Sequence, residues 1–490
     1  MKKIFKIALV IIALNSLYFC FSQEPNKEKK SIVIVDYTKE IGKLRRPELY
    51  NNNSLLRTPS DLIAKKYKNE IGLQKIIRSW LTVEDFWDYK TDTYDYNFKC
   101  GWDTNEWDNY YDYLQRFSDI SEELVLNVRG LHREVVDGKI QMTAWRKAVK
   151  NGILHYKTKY PKLKYIEALN EYSIGAFGGL SNSQYYKFYI EFYKIVNEIN
   201  EALQPKIPLL IGGPVVTTDG FTDGARRDKL RDFLRNYAND ANPKKKLDFI
   251  SYHEYYEGED PSVVAVQGKL IDEWCQEFGL PTDIPVQINE MGPYGGKNKN
   301  FGIEKDNLLV AAAMNSLFYF YNLQPDLQGF HWVMQHKTND RKTQIFDNLN
   351  WTPYGMSLKM QSKMAEIQIS ATEPKLVKGK GVYSLASKNE KKITVMLWNY
   401  QWSEGIRNEN VEVVLQNLPD RLLNREIVIK EYMLNSKFNN YFTGYKLFTE
   451  YGEDQLQKTN ETIAKINKGH VKFTTELEPN AITLFEISEN

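Results

Sequence analysis

The chain has 490 residues, with 65 Lys and Arg against 63 Asp and Glu, 42% hydrophobic and 26% charged side chains. So even a balance gives no reason to expect nucleic acid or an anionic membrane as partner, and the apolar share is enough for a sizeable core. The length exceeds one small domain and suits a barrel of about 250–350 residues with a second module.

Lys2, Lys3 and Lys6 precede an apolar run over 7–14, followed by small residues at Cys20 and Ser22 just before Gln23. This reads as a cleavable signal peptide over 1–22, so export to the periplasm or beyond is expected. Bulky Tyr18 and Phe19 fit a lipoprotein cleavage site at Cys20 poorly. The run is short for a membrane span and no second one follows, so no membrane span is expected. Residues 23–30 are polar and read as a mobile leader. The mature chain keeps Cys100 and Cys275, as one disulfide or two free thiols.

From residue 31 short β-branched runs alternate with helical patterns, which argues for a parallel sheet wrapped by helices. Candidate strands lie at 31–36, 74–80, 123–129, 163–171, 208–213, 247–253, 284–290 and 327–332. Eight parallel strands close a (β/α)8 TIM barrel. Between them, Trp107, Tyr110, Tyr111, Leu114 and Phe117 fall at helical spacing, as do Tyr185, Phe188, Tyr189, Phe192, Ile195, Val196 and Ile199. Ser181 or Ser183 is placed to cap the second of these helices. Residues 307–321 are apolar around most of a helix, as in a buried one. Beyond about 370 helical periodicity stops, and runs at 381–387, 393–400, 411–415, 426–434, 470–477 and 481–487 predict a C-terminal antiparallel β-sandwich. The expected division is therefore a barrel over 31–370 and a sandwich over 371–490.

Reactive groups of such a barrel sit at the C-terminal ends of its strands. Two strands end alike, as Leu169-Asn170-Glu171-Tyr172 and Ile288-Asn289-Glu290-Met291. A carboxylate after an apolar run is costly to desolvate without a role or partner. Strands four and seven face each other across the mouth. Two carboxylates about 5 Å apart can protonate a glycosidic oxygen and attack the anomeric carbon. Glu171 is the expected acid/base and Glu290 the expected nucleophile. Arg78, Asn170, Tyr172, His253, Tyr255, Trp332 and His132 are the expected sugar-binding surroundings: Arg78 to hold Glu290 ionised, Tyr255 to hydrogen-bond it, Trp332 as a floor. Aromatics are abundant, with 32 Tyr, 23 Phe and 10 Trp, and such rings pack on the C–H faces of sugars. No His-x-x-x-His pair, Cys cluster, Gly-rich phosphate loop or Gly-x-Ser-x-Gly is found, so neither a metal nor another cofactor is expected.

The chain resembles clan A glycoside hydrolases, and within them family 39, which holds β-xylosidases and α-L-iduronidases. The resemblance rests on Leu169-Asn170-Glu171, the run from Asp248 to Tyr255, Ile288-Asn289-Glu290, Arg78, and Trp351-Thr352-Pro353-Tyr354-Gly355. It implies a retaining hydrolase of a plant or algal polysaccharide or its oligosaccharides, exo-acting and β-xylosidase-like. The family usually has Pro after the acid/base and Phe or Tyr after the nucleophile; Tyr172 and Met291 stand there. Two other readings use the same residues: a carbohydrate-binding barrel without turnover, and an endo-acting glycanase.

Overall fold

The computed structural model describes residues 30–46, 50–53, 61–99, 109–217, 228–255, 260–292, 307–324, 326–336, 343–346, 348–402, 407–423, 425–442 and 455–489. The expected signal peptide and Cys100 lie outside these residues. Eight parallel strands form a closed barrel: β2 (Asn52–Asn53), β3 (Gln74–Thr82), β4 (Ser121–Arg129), β5 (Leu163–Ala168), β6 (Leu210–Val216), β7 (Phe249–Tyr255), β8 (Val286–Gly292) and β9 (Leu327–His331). Helices α1 (Asp61–Glu70), α2 (Tyr110–Asp119), α3 (Met142–Lys159), α4 (Asn182–Leu203), α5 (Asp228–Asn239), α6 (Val263–Glu277), α7 (Asn307–Asn322) and α8 (Pro353–Ser362) alternate with them. Ser181 caps α4 in a reciprocal capping box with Gln184. Inside the barrel Ile76, Val125, Tyr165, Phe249 and Phe330 form an apolar plug. The same inward faces carry Arg78, Asn127, Glu167 and Ser251 two residues further along each strand, so polarity rises towards the mouth.

The expected first barrel strand is a correction. Residues 31–36 belong to β1 (Ser31–Lys43), which lies outside the barrel. It joins a sheet with β10 (Ile367–Ala371), β11 (Gly381–Lys388), β12 (Lys392–Tyr400), β13 (Glu409–Gln416), β14 (Glu426–Leu434), β15 (Asn460–Lys465), β16 (Val471–Leu477) and β17 (Ile482–Glu489), in the order β15-β14-β17-β12-β11-β10-β1-β13-β16. Its two ends fold over one core: Phe473 of β16 packs on Phe485 of β17 at 4.7 Å. The sheet is antiparallel except where β1 runs parallel to β13. Ile32 to Val35 is a continuous apolar run, which reads as a strand buried on both faces. In fact Val33 and Val35 point into the core while Ile32 and Ile34 face solvent at 54% and 42% exposure. The β-domain is thus built from both ends of the chain, and the barrel begins with Asn52.

That barrel strand is made of side-chain hydrogen bonds as much as backbone. The Asn52 amide donates to the Tyr50 carbonyl, and the Asn53 amide donates to the carbonyls of Asn289 and His331. The Asn51 side chain accepts from the Ile76 N–H. Asparagines do not read as a strand, so the sequence hid it. The β-domain docks on α7, where the Trp398 indole donates to Ser316 and Tyr383 stacks on Trp398. No helix among the described residues is long and apolar enough to cross a membrane.

The two faces of β1 make a test. Val33→Asp or Val35→Asp buries a charge and should cost roughly 3 kcal/mol or more, whereas Ile32→Asp and Ile34→Asp should stay within about 0.5 kcal/mol. Urea midpoints check this; equal losses on both faces would return β1 to a strand buried on both sides.

Candidate active site

β5 and β8 aim their glutamates by different means. After β5 the backbone turns through left-handed conformations at Leu169 (φ 60°) and Glu171 (φ 39°). Side chains avoid this region, and such strain collects at functional sites. The Glu171 N–H donates to the carbonyl of Val215, itself at φ 56°, which pins this turn to β6. In β8 the pairing with β7 runs Ile288 with Tyr252, then Glu290 with His253. Asn289 is therefore an extra residue, a β-bulge, and it turns Glu290 to the same inward face as His253.

The carboxylates converge. One oxygen of Glu171, one of Glu290 and Nδ1 of His253 all lie within 4.8 Å of one another. His253 Nδ1 is 2.7 Å from Glu171 Oε1 and 3.3 Å from Glu290 Oε2. Burial pushes the imidazole down to about 4, helped by Arg78 and opposed by Glu290. The ring is then neutral at pH 5 to 8, and Nδ1 either donates to a carboxylate or accepts from a protonated one.

Glu290 keeps different company from Glu171. Arg78 Nη1 donates to Glu290 Oε1 at 2.9 Å, and the Tyr255 hydroxyl donates to Oε2 at 2.6 Å. Burial pushes the Glu290 carboxyl up and Glu171 adds to this, while His253, Arg78 and Tyr255 pull it down; the net direction is upward. Arg78 is wholly buried and also donates to Glu167, Asn53 and Asn170. Its guanidinium lies 4.9 Å from the Trp80 ring, and Trp80 meets Trp332 edge to face at 5.6 Å. Arg129 stands one step above Asn127 on β4, 5.5 Å from the Phe177 ring.

Of the expected residues, the structure brings Arg78, Asn170, His253 and Tyr255 to the glutamate pair, and sets Trp332 on the wall through Trp80. Two expectations are corrected. Tyr172 is fully buried, stacks on Tyr185 at 4.1 Å and donates to Asn182, so it braces α4 and cannot meet a sugar. His132 is buried and bonded through Nε2 to the Phe177 carbonyl at 2.7 Å, so it anchors the turn after Glu171. Asn53, Glu167, Arg129 and Trp80 went unnoticed. For the last three, strand parity is the available signal: counting in twos along each strand from the inward-facing Ile76, Val125 and Tyr165 reaches Trp80, Arg129 and Glu167. Among the described residues, Glu171, His253 and Glu290 are the donor group compact enough for a cation, but Arg78 and Tyr255 already engage Glu290.

No family model matches the sequence, and no curated protein matches it. Solved structures do. A monomeric β-xylosidase from Caulobacter crescentus CB15 aligns over 94% of this chain and 99% of its own, with TM-score 0.66 and 12% identity. The GH39 enzyme from Xanthomonas axonopodis pv. citri aligns over 96% and 99%, with TM-score 0.67 and 11% identity. The fold is that of a GH39 enzyme. A glucosidase from Croceicoccus marinus shares it, over 94% and 99%, with TM-score 0.66 and 12% identity.

Glu254 gives a test of the frame. It lies between His253 and Tyr255 but faces away from the mouth, fully buried, and accepts from Gln267 of α6. Burial pushes its carboxyl up to about 7. A raised carboxyl adds stability that is complete below the unfolded value and lost as pH rises through the folded one, here between about 4.5 and 7. Glu254→Gln should therefore stabilise the protein by about 3 kcal/mol at pH 8 and not at pH 4. Denaturation at the two pH values checks it; a pH-independent difference refutes the assignment.

Proposed function

We propose that this protein is a retaining glycoside hydrolase with Glu171 as acid/base and Glu290 as nucleophile. One observation carries the reading: two carboxylates with oxygens within 4.8 Å and unequal partners. Retaining enzymes hold theirs about 5–5.5 Å apart, whereas inverting enzymes need about 6.5–9.5 Å to admit a water. Arg78 and Tyr255 give Glu290 the charge-assisted hydrogen bonds an anion needs.

In the first step Glu171 gives its proton to the glycosidic oxygen as a Glu290 oxygen attacks the anomeric carbon, and the aglycone leaves as an alcohol. In the second, Glu171, now a carboxylate, takes a proton from water as that water displaces Glu290. Each step inverts the anomeric carbon, so the pair retains it. His253, neutral and in reach of both carboxylates, follows the proton without adding charge.

The substrate in this reading is a plant or algal polysaccharide or its oligosaccharides, attacked from the end in the manner of a β-xylosidase. The aromatic wall of Trp80 and Trp332 and the fold shared with the Caulobacter β-xylosidase support it. The expected signal peptide supports action outside the cytoplasm.

A panel of aryl glycosides should give chromophore release. Glu290→Ala should lower it by about 10⁴-fold or more. Glu171→Gln should lose about 10²–10⁴-fold on poor leaving groups and far less on dinitrophenyl glycosides, which need no proton. NMR should show the first-formed sugar in the substrate's anomeric form. An inverted product would remove Glu290 from the nucleophile role; binding without turnover would make this a carbohydrate-binding barrel. A fall in polysaccharide viscosity ahead of sugar release would make it endo-acting.

A further inference from the structure

Arg78 serves a second carboxylate that the mechanism above does not use. Glu167, on β5, is wholly buried. Its Oε2 accepts from Arg78 Nε at 2.7 Å and from the Asn127 side chain at 2.8 Å. Its Oε1, also buried, has no hydrogen-bond partner among the described residues. Burying a carboxylate costs several kcal/mol. A neutral acceptor would serve Arg78 Nε more cheaply, and the same guanidinium already uses two: Asn53 Oδ1 at 3.2 Å and Asn170 Oδ1 at 2.9 Å. The geometry therefore calls for a charge at 167 and not merely an acceptor.

We propose that Glu167 is a positioning residue for the reaction: by engaging Arg78 through Nε it divides one guanidinium between two carboxylates and keeps Glu290 a strong nucleophile. This rests on the glycosidase reading. An undivided Arg78 would bind Glu290 more tightly, and a carboxylate so stabilised attacks carbon less readily. The arrangement also fixes direction, since Nε, Nη1 and Nη2 each hold a different partner and the fork cannot rotate. The groups facing Glu290 are Arg78 from β3, Arg129 from β4, Glu171 after β5, and His253 and Tyr255 from β7. Those facing Glu167 are Arg78, Asn127 of β4, His253 and Tyr185 of α4.

The test is the pH dependence of kcat/KM on an aryl glycoside that the wild type hydrolyses. Its acid limb reports ionisation of the nucleophile in the free enzyme. Glu167→Gln keeps the shape and an acceptor for Arg78 Nε but removes the charge. The acid limb should move down by about one pH unit, and kcat should fall about tenfold where attack limits the rate. A limb that stays in place or moves up, with only Tm lowered, would make Glu167 structural and overturn the proposal. Asn127→Ala supplies the reading if Glu167→Gln does not fold. It strips Glu167 of its neutral partner, leaves the charge to draw harder on Arg78, and should move the limb up by about half a unit; an unmoved limb there also overturns it. Failure of the wild type to cleave any aryl glycoside would sink the glycosidase reading itself, a separate outcome from an active wild type whose limb ignores residue 167.

Discussion

A guanidinium shut away from solvent at Arg78 sets the terms for the whole mouth of the barrel. Removing such a cation from water costs several kcal/mol, and only well-aimed partners repay it. Here the partners come from several strands: Asn53 on β2, Glu167 on β5 with Asn170 just beyond it, and Glu290 on β8. Each takes a defined nitrogen of a rigid planar fork. Any shift of one strand against the others breaks one of these bonds and leaves a buried charge poorly matched. The cation thus acts as a geometric clamp, tying the relative heights of β2, β3, β5 and β8 to the position of Glu290.

The clamp needs its partners on the right faces, and regular strands would not deliver them. An unbroken β8 would alternate Ile288, Asn289 and Glu290 so that Glu290 shared a face with Ile288, which pairs beside outward-facing Tyr252. The bulge at Asn289 breaks that alternation. The Asn289 carbonyl then accepts from Asn53, so the bulge is fastened to the same strand that helps hold Arg78. Just after β5 the left-handed residues 169 and 171 do comparable work, and the Asn127 side chain donates to the Leu169 carbonyl. Strain on one strand is balanced by polar contacts from its neighbour, which fits a site held ready before substrate arrives.

These features explain what could be read in the sequence. Seven barrel strands announced themselves through β-branched runs, and the paired Asn-Glu endings located both glutamates. Arg78, His253 and Tyr255 followed because they end or line strands already found. Asn51 to Asn53 did not, since side-chain amides supply bonds that composition does not reveal. Glu167 was hidden by its setting: in Tyr-Ile-Glu-Ala-Leu-Asn-Glu the nearer glutamate looks like a polar break in a strand, and only inward parity with a buried Arg makes sense of it. Ser31 to Lys43 misled for the opposite reason, because four apolar residues in a row conceal an alternation that is imposed by the other end of the chain. Tyr172 and His132 misled because adjacency to a reactive residue is not direction: the left-handed turn sends Tyr172 backward into α4.

Charge counting then connects clamp to chemistry. Arg78 meets Glu167 and Glu290, while Arg129, one step above, faces Glu84 and Asp85 as well as Glu290, so carboxyl groups outnumber the cations. His253 cannot supply a third positive charge in the neutral range because burial keeps it uncharged. A low-dielectric site resists an unbalanced charge, so one carboxyl is best left protonated. Arg78 engages Glu167 and Glu290 directly, whereas Glu171 meets the neutral imidazole. In the proposed mechanism the proton sits on Glu171 and the anion on Glu290, which Arg78 and Tyr255 hold by charge-assisted hydrogen bonds. In the proposed reaction Glu167 thus bears on the basicity of Glu290 through the guanidinium they share, from a position that touches neither reacting carboxyl.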